Sequence, residues 1–318
     1  MPNVLVLGGT GFVGTALCEK LVERYGGGSA RIVVPSRRPA RAKHIQMLPT
    51  VELVAADVHD DAQLTRLLRR SDAVVNLVAI LHGSDKAFDQ VHVQLPRRLA
   101  QACATAGVGR IVHVSALGVD AQAPSRYLRS KAAGEAALSA AGLDLTLLRP
   151  SVIFGEGDRF LNLFARLQSV FPVMPLAGAD ARFQPVWVDD VALAIVRCLD
   201  DRTTIGETLE CCGPDVYTLE QLVRIAGRES GHPRPVVALP APLGRLQAAL
   251  MELLPGEPLM SRDNLDSMQV ANVATGNRPG LARLGIRPAG VEAIAPLYLG
   301  REQGPARLDH WRAAVHRR

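Results

Sequence analysis

Residues 3–14 read NVLVLGGTGFVG, a short run of valines and leucines that ends in glycines. Residues 12–25 then have apolar side chains at helical spacing, namely Val13, Ala16, Leu17, Leu21 and Val22. This order predicts a buried strand, a tight glycine turn and an amphipathic helix.

The alternation of apolar strand and amphipathic helix continues as far as Pro150. Such an alternation predicts a parallel sheet with helices on both faces, because each crossover connection must return over the sheet. We therefore predict an α/β fold with a doubly wound parallel sheet. The further strands are predicted at 31–35, 51–56, 72–80, 110–117 and 144–150, and the helices at 39–48, at DDAQLTRLLRR, in a stretch ending near Gly107 and at SRYLRSKAAGEAALSAAG.

After Pro150 the pattern loosens and prolines become frequent, most of all from Gly231 onward. We expect a nucleotide-binding domain at 1–155, completed by roughly 184–200. A small mixed substrate or lid domain is expected at 156–318, partly interleaved with the first. The later predicted elements are the strands 185–188 and 208–213 and the helices 189–199 and 218–230.

The composition is that of a globular protein, with 318 residues, 48% hydrophobic and 21% charged. The formal charge of +5 suggests an anionic partner, but the basic residues are scattered, and a small phosphate-bearing molecule explains them without nucleic acid. Five cysteines without a CxxC pair favour a reducing compartment and predict no metal site. We expect a cytoplasmic protein whose membrane contact, at the inner face, is at most peripheral, because no apolar stretch is long enough to span a bilayer.

The motif GGTGFVG has glycines at every third position, Gly8, Gly11 and Gly14. Directly after a strand and at the start of a helix, this spacing is typical of a Rossmann-type dinucleotide site, where free helix N–H groups bind the pyrophosphate. The alternative is a glycine turn that only allows close packing of helix on strand. The predicted cofactor contacts in this loop are Gly8, Thr10, Gly11, Phe12, Val13 and Gly14.

At the end of the second strand stand Ser36, Arg37 and Arg38, where an NAD site usually has a carboxylate. A guanidinium can pair with a 2′-phosphate, so the sequence favours NADP(H) over NAD(H). The alternative is a solvated basic loop. Asp57 and Val58 follow the third strand, where this fold contacts adenine, although Asp57 could instead cap the next helix.

Tyr127 and Lys131 are four residues apart in YLRSK on a predicted helix, and therefore on one face. A tyrosine that gives or takes a proton near neutral pH needs help, because its free pKa is about 10. A neighbouring ammonium favours the phenolate. The alternative is a core tyrosine beside a solvated lysine.

Together these segments resemble the short-chain dehydrogenase/reductase superfamily in its extended or atypical branch. The resemblance covers GGTGFVG, NLVA at 76–79, VHVSALG, YLRSK, LRPSVIFG at 148–155 and VWVDDVA. It implies that Tyr127 and Lys131 are the acid/base pair, that Ser115 holds the substrate hydroxyl, and that Ala79, Pro150 and Ser151 line the cofactor site. Nucleotide-sugar epimerases usually place that hydroxyl one residue later, where this chain has Ala116.

Two segments, YLRSKAAGE (127–135) and IFGEGDRFLN (153–162), resemble the group that contains the NADPH-binding accessory subunit of respiratory complex I and its bacterial relatives. This resemblance implies tight NADPH binding and a quinone-like substrate or a respiratory-complex partner. Three functions remain open: an NADPH-dependent oxidoreductase, a non-catalytic NADPH-binding structural or assembly protein, and a nucleotide-sugar epimerase or dehydratase.

A stripe of leucines lies between Pro242 and Pro255, at Leu243, Leu246, Leu250, Leu253 and Leu254. A stripe at this spacing usually packs against the protein's own core, and this is our prediction; docking on a membrane surface or a partner is the alternative. The basic tail WRAAVHRR (311–318) is expected to be exposed, with anionic lipid as one contact open to it.

Overall fold

The computed structural model of this protein describes residues 2–28, 30–253, 256 and 258–300. The chain divides into two compact units. Unit 1 contains the N-terminal part as far as Ser151, together with Val188–Cys212 and Ala274–Arg287. Unit 2 contains Val152–Trp187, Gly213–Val273 and the residues from Pro288 onward.

The strands, numbered in chain order, are β1 Val4–Leu7, β2 Ile32–Ser36, β3 Val51–Ala55, β4 Ala73–Asn76, β5 Arg110–Val114, β6 Asp144–Pro150, β7 Ile153–Phe154, β8 Met174–Ala177, β9 Arg182–Phe183, β10 Val186–Trp187, β11 Thr208–Cys211, β12 Tyr217–Thr218 and β13 Val236–Leu239. The α-helices are α1 Phe12–Tyr25, α2 Lys43–Gln46, α3 Asp61–Leu68, α4 Asp85–Phe88, α5 Leu95–Ala106, α6 Arg126–Ser139, α7 Leu161–Val170, α8 Val188–Asp200, α9 Leu219–Glu229, α10 Ala241–Glu252, α11 Arg262–Ser267 and α12 Val291–Leu299.

Unit 1 is built on a seven-stranded sheet with the order β11-β6-β5-β4-β1-β2-β3. Every pairing in it is parallel. Helices α1 and α8 pack together, and α3, α5 and α6 form a second group. The predicted doubly wound α/β fold is therefore confirmed, with the direction of winding reversing between β1 and β4.

The core of unit 1 explains why these strands are almost wholly apolar. Strands covered by helices on both faces need hydrophobic side chains on both faces. All four residues of β1 are buried, and Leu5 and Leu7 pack with large buried side chains from α3, α5 and β5. Representative members of this core are Leu5, Leu7, Leu64, Leu99 and Ile111.

Two predicted helices differ from the structure. The helix predicted at 39–48 is a 3₁₀ turn, Pro39–Arg41, followed by the single turn α2. The long stretch predicted before Gly107 consists of α4, a π-helical turn at Asp89–Gln94 and α5. It ends at Gly107 as predicted, since Gly107 has a φ of 75°.

Unit 2 combines short strand pairs with helices. Its two-stranded sheets pair β10 with β7, β12 with β9 and β13 with β8. Buried side chains of α7, α9, α12 and β8 form a second hydrophobic core, among them Phe164, Leu176, Leu222 and Ala295. Unit 2 thus has a core of its own. Among the described residues, no helix is long and apolar enough to cross a membrane.

The prediction that the leucine stripe packs into the core is wrong. Four of its leucines are largely exposed, while the small residues Gly244 and Ala248 are buried. A side chain at Gly244 would come within 2.7 Å of the Cβ atom of Ala177, so α10 packs on β8 through its small residues and not through its leucines. The exposed leucines are Leu243, Leu246, Leu250 and Leu253, whereas Leu254 and the tail 311–318 lie outside the described residues.

Candidate functional site

The parallel sheet of unit 1 places the predicted site residues at one edge. In a parallel sheet all strands end at the same side, and ligands bind there at the point where the winding reverses. The residues that follow successive strand ends at this edge are Asp57 and Val58 after β3, Arg37 and Arg38 after β2, Gly8–Gly14 after β1, Ala79 after β4, Ser115 after β5, and Pro150 with Ser151 at the end of β6.

The glycine loop after β1 leaves no room for side chains. Gly8 has a φ of 81°, which favours glycine, and a Cβ atom there would lie 3.2 Å from the backbone of Leu77. A Cβ atom at Gly14 would lie 2.4 Å from the carbonyl oxygen of Gly8. The loop therefore folds tightly against the first turn of α1, as close packing of helix and strand requires.

Helix α1 begins without a side-chain cap. Gly11 is its N-cap residue and offers no side-chain acceptor, and the first turn contains no acidic residue. Phe12 and Val13 form the first turn and Thr10 lies in the loop before it. Free N–H groups and a positive helix end suit a phosphate. The residues present thus fit the pyrophosphate of a dinucleotide.

The end of β2 presents positive charge without carboxylate partners. Arg37 and Arg38 are exposed, and the backbone N–H of Arg38 donates to the hydroxyl of Ser36 at 3.2 Å. Among the described residues, neither guanidinium has an ion-pair partner. Both arginines are therefore free to meet an anion.

The next two strand ends present mostly backbone and small side chains. The carboxylate of Asp57 accepts the N–H of His59 at 3.0 Å, and Asp60, not Asp57, caps α3. Val58 is half-buried beside it, and Ala79 is exposed after β4. Capping by Asp57, the alternative that the sequence left open, is therefore excluded.

Helix α6 presents the Tyr127–Lys131 pair. The hydroxyl of Ser125 caps the helix by accepting the N–H of Leu128, which fixes where its first turn begins. The amine of Lys131 is buried and donates to the carbonyl oxygen of Val114, the last residue of β5, at 3.0 Å. Tyr127 lies one turn earlier, so both side chains share one face, as predicted.

Burial controls the ionisation of this pair. It raises the pKa of Tyr127 to about 12 and lowers the pKa of Lys131 to about 8, against a smaller opposite effect of Glu135. The phenol is protonated at neutral pH, which suits a proton donor.

Ser115 directly follows Val114, whose carbonyl oxygen accepts the bond from Lys131, and it has an unusual hydroxyl. Its Oγ atom is buried and has no hydrogen-bond partner among the described residues. A buried hydroxyl without a partner has lost its contact with water, so a bound ligand would satisfy it. Pro150 and Ser151, at the end of β6, are also buried, and the N–H of Ser151 donates to the carbonyl oxygen of Cys211.

The sequence did not predict the aromatic rings that pack against the ring of Tyr127. The ring of Tyr127 contacts Phe88 and His92, with centroids 6.3 Å and 5.5 Å away. His92 accepts the N–H of Ile80 through Nε2 and bonds the hydroxyl of Ser130 at 2.8 Å. Burial lowers the pKa of His92 to about 3, so the ring is neutral.

One residue in the sequence does indicate this close packing of α6. Gly134 stands inside α6, where glycine is unfavourable and usually marks a close approach. A Cβ atom at Gly134 would lie 2.0 Å from the carbonyl oxygen of His92, so the glycine lets α6 approach the π-helical turn. The turn itself has no sequence signal that we recognise.

Comparison with known proteins agrees with this geometry. The sequence profile described as the NAD dependent epimerase/dehydratase family matches residues 4–212. The chain is 32% identical over 297 residues to the mitochondrial NADH dehydrogenase (ubiquinone) 1 alpha subcomplex subunit 9 of Mus musculus, covering 90% of this chain and 77% of that protein. It is 29% identical over 243 residues to ceramide reductase of Caulobacter vibrioides, covering 75% and 74%.

Among solved structures, a dTDP-glucose 4,6-dehydratase from Streptomyces venezuelae, crystallised as a double mutant with NAD bound, superposes with a TM-score of 0.73. The match covers 93% of this chain and 95% of that one at 24% identity. At this identity the likeness concerns the fold.

Proposed function

Because this chain belongs to the NAD dependent epimerase/dehydratase family, we propose that it is an NADPH-dependent reductase of carbonyl compounds. The observation that supports this proposal is the pairing of Tyr127 with the buried amine of Lys131 on one face of α6. The buried hydroxyl of Ser115, which has no partner among the described residues, adds a third group at the same strand end.

Each part of the cofactor has candidate partners in this chain. The backbone N–H groups from Phe12 to Gly14 suit the pyrophosphate, and Arg37 and Arg38 suit a 2′-phosphate. Tyr127 and Lys131 would bond the ribose next to the nicotinamide. When bound, the dinucleotide supplies a hydride for the carbonyl carbon.

The protein's own residues then manage the proton. The phenol of Tyr127 donates its proton to the carbonyl oxygen, and the ammonium of Lys131 stabilises the phenolate that is left. The hydroxyl of Ser115 donates a hydrogen bond to the same oxygen and orients it. A proton from solvent restores the phenol for the next cycle.

The names of relatives suggest which carbonyl compounds to test. One refers to ubiquinone and another to ceramide, and both are lipid-like molecules. We therefore propose an apolar substrate, with quinones and long-chain ketones as the first candidates.

The test follows NADPH absorbance with soluble quinones and ketones, after mass spectrometry has identified any nucleotide that co-purifies. Tyr127→Phe should lower the rate by about 100-fold or more but raise the Kd for NADPH by no more than about tenfold, because it removes the proton donor but only one hydrogen bond to the cofactor. In the wild type the rate should fall as the pH rises through about 8, where Lys131 loses its charge. Tyr25→Phe is the matched control, since that buried hydroxyl donates to Asp200 on α8.

Two results would contradict the reductase. NADPH that is bound tightly and never consumed would favour the non-catalytic binding subunit, the alternative suggested by relatives named as respiratory-complex subunits. Turnover of nucleotide sugars alone would favour the epimerase or dehydratase alternative, against which Ala116 counts.

A further inference from the structure

Large apolar side chains are exposed in one region of unit 2. They lie at the end of α7 and just after it, in β13, on α10 and shortly after α10. These elements are linked because β13 pairs with β8 and α10 packs on β8. A concentration of exposed aliphatic residues marks an interaction surface. These residues are Val170, Phe171, Val173, Val237, Leu243, Leu246, Leu250, Leu253 and Leu259.

The centre of this region is one face of α10. Leu243, Leu246, Leu250 and Leu253 follow one another at intervals of three, four and three residues, so they form a single stripe along the helix. They are 52%, 57%, 58% and 81% exposed. We call these four residues the α10 leucine face.

The leucine face points away from the rest of unit 2. At 100° per residue, Gly244 and Ala248 lie about opposite the leucine stripe. Both are buried, and a Cβ atom at Gly244 would lie 2.7 Å from Ala177 on β8. The small residues therefore attach the helix to β8, and the leucines on the other side remain more than half exposed.

The chemistry of the face indicates what covers it. Protein interfaces depend on aromatic and arginine anchors, with leucine and valine under-represented. The α10 leucine face contains neither anchor type and forms a smooth aliphatic ridge. A bilayer accepts such a ridge without matching its shape.

The charge of the chain favours the same occupant. Its formal net charge is +5, and residues 301–318, which belong to the same part of the sequence as α12, contain five arginines against Glu302 and Asp309. Positive charge on a protein attracts it to anionic lipid headgroups. We propose that the α10 leucine face docks this protein on the surface of an anionic phospholipid bilayer. This proposal does not depend on the reductase activity.

The test is flotation of the full-length protein with vesicles of phosphatidylcholine and phosphatidylglycerol in equal parts. The wild type should float with the vesicles, and Leu246→Ser/Leu250→Ser should lower the partition coefficient by at least about tenfold, because two leucines no longer leave water. Leu297→Ser is the matched control: this leucine of α12 is 55% exposed but lies outside the face, so its loss should change binding by about twofold at most.

Further measurements separate docking from its alternatives. The double variant should keep the wild-type circular dichroism spectrum and Kd for NADPH, which excludes misfolding as the cause of lost binding. Deleting residues 301–318 should weaken binding to the anionic vesicles and reduce its salt dependence, with residual binding through the leucines. The proposal is overturned if the wild type does not float, if the double variant floats equally well, or if sedimentation shows a dimer that the double variant dissociates without any vesicle binding.

Discussion

At the scale of single residues, Arg37 and Arg38 are the candidates for choosing between the two dinucleotides. Both are exposed at the end of β2 and lack ion-pair partners among the described residues. NADPH differs from NADH at the 2′ position, where a phosphate can pair with a guanidinium. We expect Arg37→Ser/Arg38→Ser to raise the Kd for NADPH by roughly 10- to 100-fold, since a hydrogen bond to a charged group contributes about 1.5–3 kcal/mol.

The measurement is titration with both nucleotides, followed by fluorescence or calorimetry. Affinity for NADH should change by about twofold at most. Arg31→Ser is the control, because it removes a positive charge next to the opposite end of the same strand. Equal losses for NADPH and NADH would contradict the assignment of these arginines to the phosphate.

Residues whose roles depend on local geometry were predictable from the sequence. The glycine spacing and the uncapped start of α1 concern neighbours within seven residues, from Gly8 to Gly14. The partners of Tyr127 were not predictable, because Phe88 and His92 are brought to it by packing between α6 and a turn more than 30 residues earlier. The raised pKa of Tyr127 has the same cause, since only the folded structure defines its burial.

At the scale of elements, the contact between α6 and the π-helical turn Asp89–Gln94 holds the Tyr127–Lys131 pair in place. Gly134 lets the two approach, and an added Cβ atom would lie 2.0 Å from the carbonyl oxygen of His92. Because backbone cannot move aside as a side chain can, we expect Gly134→Ala to destabilise the protein by about 1–3 kcal/mol. The unfolding temperature, measured by calorimetry, should fall by several degrees.

The same contact also concerns activity. Moving α6 displaces Tyr127 and Lys131 together. The reductase rate of Gly134→Ala should therefore fall by more than the loss of folded protein at the assay temperature explains. Gly27→Ala is the matched control, because a Cβ atom at Gly27 has nothing within 4 Å and should change stability by less than about 0.5 kcal/mol. A Gly134→Ala variant as stable as the wild type would show that α6 does not need this close approach.

The α10 helix shows that hydrophobic periodicity predicts an apolar face but not what that face packs against. The spacing of its leucines predicts an apolar face, and the structure has one, but spacing alone does not say which face of a helix meets the core. The small residues Gly244 and Ala248 decide it, since they allow α10 to lie close to Ala177. A leucine stripe opposite a small-residue face is therefore ambiguous in sequence.

At the scale of the whole molecule, the chain passes between its units more often than the sequence indicates. Unit 1 includes Ala274–Arg287, a segment that the sequence assigned to the substrate region. Within unit 1, the carboxylate of Glu210 on β11 accepts the N–H and the hydroxyl of Thr275 at 2.7 Å and 2.8 Å. These partners are 65 residues apart in the sequence, so a local sequence pattern does not predict their pairing.

The two proposals give each unit its own ligand, namely NADPH for unit 1 and a phospholipid bilayer for unit 2. Amide hydrogen exchange can detect the binding of both ligands to the same protein. NADPH should slow exchange in residues 7–16, because phosphate bonds the free N–H groups at the start of α1. Vesicles containing phosphatidylglycerol should slow exchange in α10, since burial of the leucine face opposes local opening of that helix. Neither ligand should protect the other segment, and Leu246→Ser/Leu250→Ser should abolish only the second effect. Protection of residues 7–16 by vesicles, with α10 unchanged, would place the lipid contact in unit 1 and contradict docking through α10.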